Sequence, residues 1–179
     1  MSNFHLDLMF TALAVLCALT GAAFDLKSRR IPNRLTLPCM VAGLLLHLTL
    51  GGLMGFALAA AAGLIAGTIF VVFWIAGGMG AGDVKLMTAV ACIAGFPHVA
   101  WLLILTALAG GVMAIGLALW KGRLRDTVLN MAALAVHHRF EGLKPHPHFN
   151  VRNALTLRLP YGLAIAAGSL VTLCMAVRR

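Results

Sequence analysis

Residues 77–97 read GGMGAGDVKLMTAVACIAGFP, and whether the apolar part of this stretch crosses a bilayer decides the topology of the whole chain. The glycines Gly77, Gly78, Gly80 and Gly82 cannot sit in a stable helix interior, because each adds a large backbone-entropy penalty. From Val84 to Phe96 the chain is apolar apart from Lys85 and Thr88, and Pro97 stops the run. That run is short against the ~20 residues a membrane helix ordinarily needs.

On either side the apolar stretches are longer. Residues 8–24, 35–50 and 53–75 lie upstream, and residues 99–120 and 159–177 lie downstream. The first is preceded by MSNFHLD, with an acid and no Lys or Arg, which is wrong for a secretory leader, so it reads as a membrane span. Between the first two runs, Asp25–Arg34 (DLKSRRIPNR) is a polar break; Pro32 interrupts the helix, and Asn33 or Thr36 is expected to cap the next one. Gly51-Gly52 makes the turn between the second and third runs, and residues 121–158 form a long polar segment.

Composition agrees. The 179 residues are 61% hydrophobic and 11% charged, with a mean hydropathy of +0.97. Soluble domains hold roughly 45–50% apolar and ~25% charged residues. A soluble enzyme, a disordered tail and a nucleic-acid-binding module are therefore excluded. The formal charge of +9 reads as topology, because the cations sit between apolar runs rather than on one helix face.

Counting those cations settles the short run. If it crosses, Lys27, Arg29, Arg30, Arg34, Lys85 and the seven cations of residues 121–158 share one face, leaving only Arg178 and Arg179 opposite. If it does not, the long loop lands opposite the others and the bias largely disappears. The expectation is thus an all-α polytopic membrane protein with about six transmembrane helices, both termini outside and three cytoplasmic loops. It forms a single domain over residues 1–179. Within the loop 121–158, Leu124, Val128, Met131 and Ala135 recur at helical spacing between Arg123 and Phe140, as in an amphipathic interfacial helix; a solvated connector is the alternative.

In this topology two of the five acids, Asp25 and Asp83, stand at the same membrane boundary, one ending the first span and one beginning the fourth. Two carboxylates that meet cannot easily both ionise, so one pKa rises and one falls. The ionised group can then take a proton from water while the protonated one donates to a carbonyl oxygen, the division of labour of an aspartic protease. Gly80 and Gly82 suit this use, since a backbone without Cβ atoms lets an extended peptide approach. The alternative is a plain turn with Asp83 as a helix cap. Lys85 either favours an ionised carboxylate or snorkels to headgroups. Tyr161 either faces the aspartates or marks the membrane interface.

Three stretches carry a resemblance: DLKSRRIPNRLT from Asp25, GGMGAGDVKLM from Gly77, and LPYGLAIAAG from Leu159. Together they resemble the type IV prepilin peptidases, a family of GxGD aspartic proteases of the membrane. The resemblance implies that Asp25 and Asp83 are the catalytic pair, that Gly80 and Gly82 shape the loop of the second, and that Pro32, Asn33 and Lys85 support the site. It further implies cleavage of the leader from prepilin or pseudopilin substrates at the cytoplasmic face of a bacterial inner membrane, among other pilus-assembly proteins and anionic lipids. The chain has no CxxC pair, unlike the larger bifunctional members, and is similar to the short peptidases of Flp pili, so methyltransferase activity is not expected.

No cofactor, metal or nucleic acid is expected. Cys17, Cys39, Cys92 and Cys174 read as small hydrophobes, the cluster His137, His138, His146 and His148 as solvated or headgroup-facing, and His47 and His98 as interfacial. The rival reading from another class is a non-catalytic membrane component, or a small proton- or cation-coupled transporter using the same two aspartates. A transporter ordinarily needs acids at mid-bilayer depth and a polar path.

Overall fold

The computed structural model describes residues 3–122, 129 and 160–178. The expected interfacial helix between Arg123 and Phe140 and the four-histidine cluster lie outside the described residues. The main helices are α1 (Asn3–Ser28), α2 (Asn33–Ile75), α3 (Ala81–Ala94), α4 (Phe96–Trp120) and α5 (Tyr161–Val177). Three of them, α1, α2 and α4, are long and apolar enough to cross a membrane, and α5 is a shorter apolar helix. The chain is an all-α membrane protein.

At 1.5 Å per residue, the 43 residues of α2 would extend ~65 Å if straight, about twice the hydrocarbon core. The helix is broken instead at Gly52, whose φ of 63° and ψ of −160° suit glycine alone. Contacts with α3 show what the break does. Along residues 33–51, Asn33 meets Lys85, Gly43 backs onto Ile93, and His47 Nε2 lies 3.0 Å from the Ile93 carbonyl. Along residues 53–75 the order reverses, with Gly63 facing Cys92 and then Gly67 facing Thr88. The two arms therefore flank α3 in opposite directions, as the turn expected at Gly51-Gly52 requires.

The other helices follow the same up-and-down course. Helix α4 runs antiparallel to α5, pairing Thr106 with Gly168 and Gly110 with Ala164. Helix α1 packs on both α3 and α5, with Gly21 against Leu86 and Ala22 against Gly162. Helix α3 is the centre of the bundle: Leu86, Met87, Ala89, Val90 and Ala91 are fully buried. It ends at Gly95 (φ 79°), so the expected run to Phe96 stops short and Phe96 opens α4 instead.

Burial is that of a bilayer protein. Leu53, Met54, Leu64, Val112, Ile115, Leu119 and Trp120 are each more than half exposed. The buried seam of residues 53–75 is mostly small, Ala59, Ala62, Gly63, Ala66 and Gly67, with Phe70 at its end. Lipid supplies no hydrophobic force between helices, so close backbone approach through small residues holds them together. His47 and His98 lie at the end of the bundle away from Asp25, as expected, yet they are packed rather than facing the interface. His47 stacks on Phe10 with centroids 3.9 Å apart, and buried His98 stands 3.9 Å from Asp7. Cys17, Cys39, Cys92 and Cys174 are free thiols; Cys17 and Cys92 are buried, Cys39 is half-buried and hydrogen-bonded with Cys17, and Cys174 is exposed.

The seam makes a test. A Cβ on Gly63 would collide with the Cys92 sulfur and otherwise has room. Gly63→Ala is expected to cost about 1–3 kcal/mol of stability in detergent, and adding Cys92→Ala to recover most of it. Additive losses in the double variant would show that the arm 53–75 does not meet α3 at this register.

Candidate functional site

The end of the bundle opposite His47 gathers the C-terminal turn of α1, the segment 29–33, the glycine loop, and the first turns of α3 and α5. Asp83 occupies the third position of α3, and its carboxylate accepts the Gly80 N–H at 3.1 Å while its own N–H donates to the Gly80 carbonyl at 3.1 Å. The first turn of any helix has amides without helical acceptors, and the carboxylate answers one of them. Asp83 is therefore a helix cap, and the bland alternative for this residue holds alongside whatever chemistry it performs. A Cβ on Gly80 would stand 3.1 Å from Asp83 Oδ2, and one on Gly82 would stand 3.2 Å from Ile31 Cβ. These two glycines allow the loop to close on the carboxylate on one side and on the 29–33 segment on the other.

That segment is folded back deliberately by local geometry. Arg29 adopts φ 50°, a left-handed conformation that costs a non-glycine residue roughly 1 kcal/mol, and its N–H closes on the Asp25 carbonyl at 2.8 Å. The turn sends Ile31 into the core, where it is buried against Gly82. Pro32 takes the N-cap position of α2 with an extended backbone, and no side chain caps that helix. The expected cap from Asn33 or Thr36 is absent for a visible reason: Asn33 Oδ1 accepts a 2.8 Å hydrogen bond from Lys85 Nζ. Lys85 is thus neither aimed at a carboxylate nor simply snorkelling, and it clasps the first turn of α2 to the first turn of α3.

Asp25 lies near the end of α1 and is half-buried. Its Oδ2 accepts the Gly162 N–H at 3.1 Å, so a carboxylate on α1 answers an orphan amide in the first turn of α5. Tyr161 beside it is half-buried and within electrostatic reach of Asp83. Of its two expected placements, the one beside the aspartates is observed. The α1, α3 and α5 helix ends converge here, and with them Asp25, Asp83 and Tyr161.

The two carboxylates are unequal. Asp83, just ahead of the apolar run 84–96, is 8% exposed against a half-buried Asp25. Burial pushes its pKa up to about 6, the nearby Asp25 charge adds to the rise, and the amides of Gly80 and Asp83 itself oppose it. Two unequal carboxylates within electrostatic reach of each other can hold one proton and one charge between them, which suits acid–base work on a water molecule and a carbonyl. Among the described residues no group of three His, Cys, Asp or Glu could hold a metal ion. A cavity of about 400 Å³ lies at the other end of the bundle, between Phe10, His47, Leu58 and Phe96, away from both aspartates.

Reading the residues in order singled out both aspartates, both glycines and the clasp residues. It left out Gly162 and Ile31. The signal for Gly162 was present in retrospect: Pro-Tyr-Gly opens a helix without a Ser, Thr, Asp or Asn to cap it, so an acceptor must come from elsewhere.

The model of the type IV leader peptidase family matches residues 12–115, a stretch that includes Asp25 and Asp83. The chain is 36% identical over 121 residues to the prepilin leader peptidase/N-methyltransferase of Burkholderia pseudomallei, covering 62% of this chain and 38% of that protein. It is 38% identical over 115 residues to the protein of the same name from Aeromonas hydrophila, covering 60% of this chain and 38% of the relative. The chain thus matches well under half the length of these curated relatives. No solved structure matches it significantly. With the matched family spanning more than half of the chain and both carboxylates, the protein belongs to the type IV leader peptidase family.

Proposed function

We propose that the chain is a membrane-embedded aspartic endopeptidase that removes the leader of type IV or Flp prepilin-like proteins. The observation that carries this reading is the convergence of Asp25 and Asp83, from helices far apart in sequence, at one end of the bundle. Six crossings follow if both arms of α2 and the short α3 each span. The positive-inside rule then puts the aspartates at the cytoplasmic face of the inner membrane. The substrate's apolar helix lies in the bilayer and presents its leader junction to the pair. Basic loops rest on anionic headgroups.

In this mechanism Asp83, the more buried carboxyl, carries the shared proton and Asp25 is the base. Asp25 takes a proton from water as the water oxygen bonds to the scissile carbonyl carbon. Asp83 gives its proton to the carbonyl oxygen. Collapse of the tetrahedral species breaks the C–N bond: the proton held by Asp25 passes to the leaving amine, and the hydroxyl formed from the carbonyl oxygen returns its proton to Asp83. The relatives' names also include N-methyltransferase, but the matched part covers 38% of them and this chain lacks a CxxC pair, so only the peptidase activity is proposed here. A transporter is disfavoured because both acids stand at helix ends and cap them, rather than lining a mid-bilayer path.

Co-expression with a Flp-type prepilin should give the mobility shift of leader loss. Asp25→Asn and Asp83→Asn should each lower cleavage at least a thousandfold at normal membrane levels, and cleavage surviving both would remove the mechanism. The pH dependence follows from the raised Asp83. A general acid must be protonated, so kcat/KM should decline as pH rises through about 6, and a flat profile from pH 5 to 8 would contradict the assignment. Stability carries the same sign. The folded state binds the Asp83 proton more tightly than the unfolded chain, so this group's contribution to stability falls as pH rises from about 4 to about 6. Asp83→Asn should therefore be more heat-stable than wild type at pH 8 and lose that advantage near pH 4.

A further inference from the structure

We propose that the backbone amide of Gly162 positions Asp25, making the start of α5 part of the catalytic apparatus although it contributes no reacting group. The kinetic part of this proposal rests on the peptidase reading; the structural part does not.

Three observations carry it. Gly162 occupies the second position of α5, where no helical acceptor exists for its N–H, and Pro160 before the helix brings no capping side chain. The acceptor is Asp25 Oδ2 at 3.1 Å, 137 residues away in sequence. Gly162 is also closed against α1: a Cβ there would stand 3.1 Å from Ala22 Cα, Asp25 Cβ and Asp25 Oδ2. The absence of a side chain is what lets the amide reach the carboxylate. One oxygen of Asp25 is thereby held, and its other oxygen is left for water.

The consequence differs from ordinary packing. A Cβ at position 162 pushes the carboxylate by a few tenths of an ångström while leaving Asp83, the glycine loop and the lipid-facing surface in place. Chemistry suffers and substrate binding does not. Gly168, two turns further along α5, is the comparison. A Cβ there would stand 2.6 Å from the Thr106 backbone nitrogen, a tighter collision, but against α4 and away from both aspartates.

The test has two readouts on the full chain. In ¹⁵N-labelled protein, Asp25→Ala should speed hydrogen exchange of the Gly162 amide at least tenfold. It should leave the Leu163 amide, which donates to the Pro160 carbonyl at 3.1 Å, unchanged. Asp83→Ala should move neither. An equally protected Gly162 amide in Asp25→Ala, or equal loss at Leu163, overturns the proposal whether or not the chain is a peptidase. In the cleavage assay, Gly162→Ala should lower kcat roughly tenfold with KM within twofold. Gly168→Ala should lower the thermal midpoint while keeping wild-type kcat per folded molecule. Wild-type kcat in Gly162→Ala, or a loss confined to KM, overturns positioning while leaving the peptidase reading intact. A wild-type chain that cleaves no prepilin removes that reading instead, and the exchange result still decides whether the amide holds Asp25.

Discussion

Amides at the start of a helix have no partner within the helix, and near a bilayer little water is available to supply one. Three helices here begin at the same end of the bundle, and carboxylates answer two of them, α3 and α5. Asp83 accepts from Gly80 at the start of its own helix, and Asp25 accepts from Gly162 at the start of another. That demand brings the two acids together. It also makes their positions depend on three helix ends at once, which is why the glycine loop, the 29–33 turn and the Asn33–Lys85 clasp are folded so closely around them.

The rest of the bundle allows those ends to meet. Helix α3 is short and buried from Leu86 onward apart from half-buried Thr88, and it is reached by both arms of α2 through Gly43, Gly63 and Gly67 and by α1 through Gly21. Larger residues at these positions would hold the helices apart and lift the aspartates out of register. Bulky apolar side chains face outward instead, where lipid accepts them. Small residues at the helix contacts provide closeness, around a core that also holds Leu86, Met87, Leu102 and Ile165, and large apolar residues outside provide solubility in the membrane.

Much of this was legible in the sequence because the signals were chemical. Apolar run lengths placed the helices, and the scarcity of acids drew attention to Asp25 and Asp83. The glycines ahead of Asp83 announced a loop. What the sequence left open depended on contacts between distant residues. Asn33 has the composition of a helix cap, but its oxygen is taken by Lys85, 52 residues away. The amide of Gly162 carries no side chain to betray a role, and Tyr161 reads equally well at an interface. His47 and His98 looked interfacial because their neighbours Phe10 and Asp7 come from another helix.

The central claim is that Asp25 and Asp83 occupy one site in the membrane. It is tested most directly by replacing both with cysteine in a chain whose four native cysteines are alanine, and treating intact membranes with a short bis-thiol reagent. The account predicts efficient crosslinking of positions 25 and 83, and none between positions 25 and 47. Crosslinking of neither pair, with a 33–85 control pair reacting normally, would contradict it.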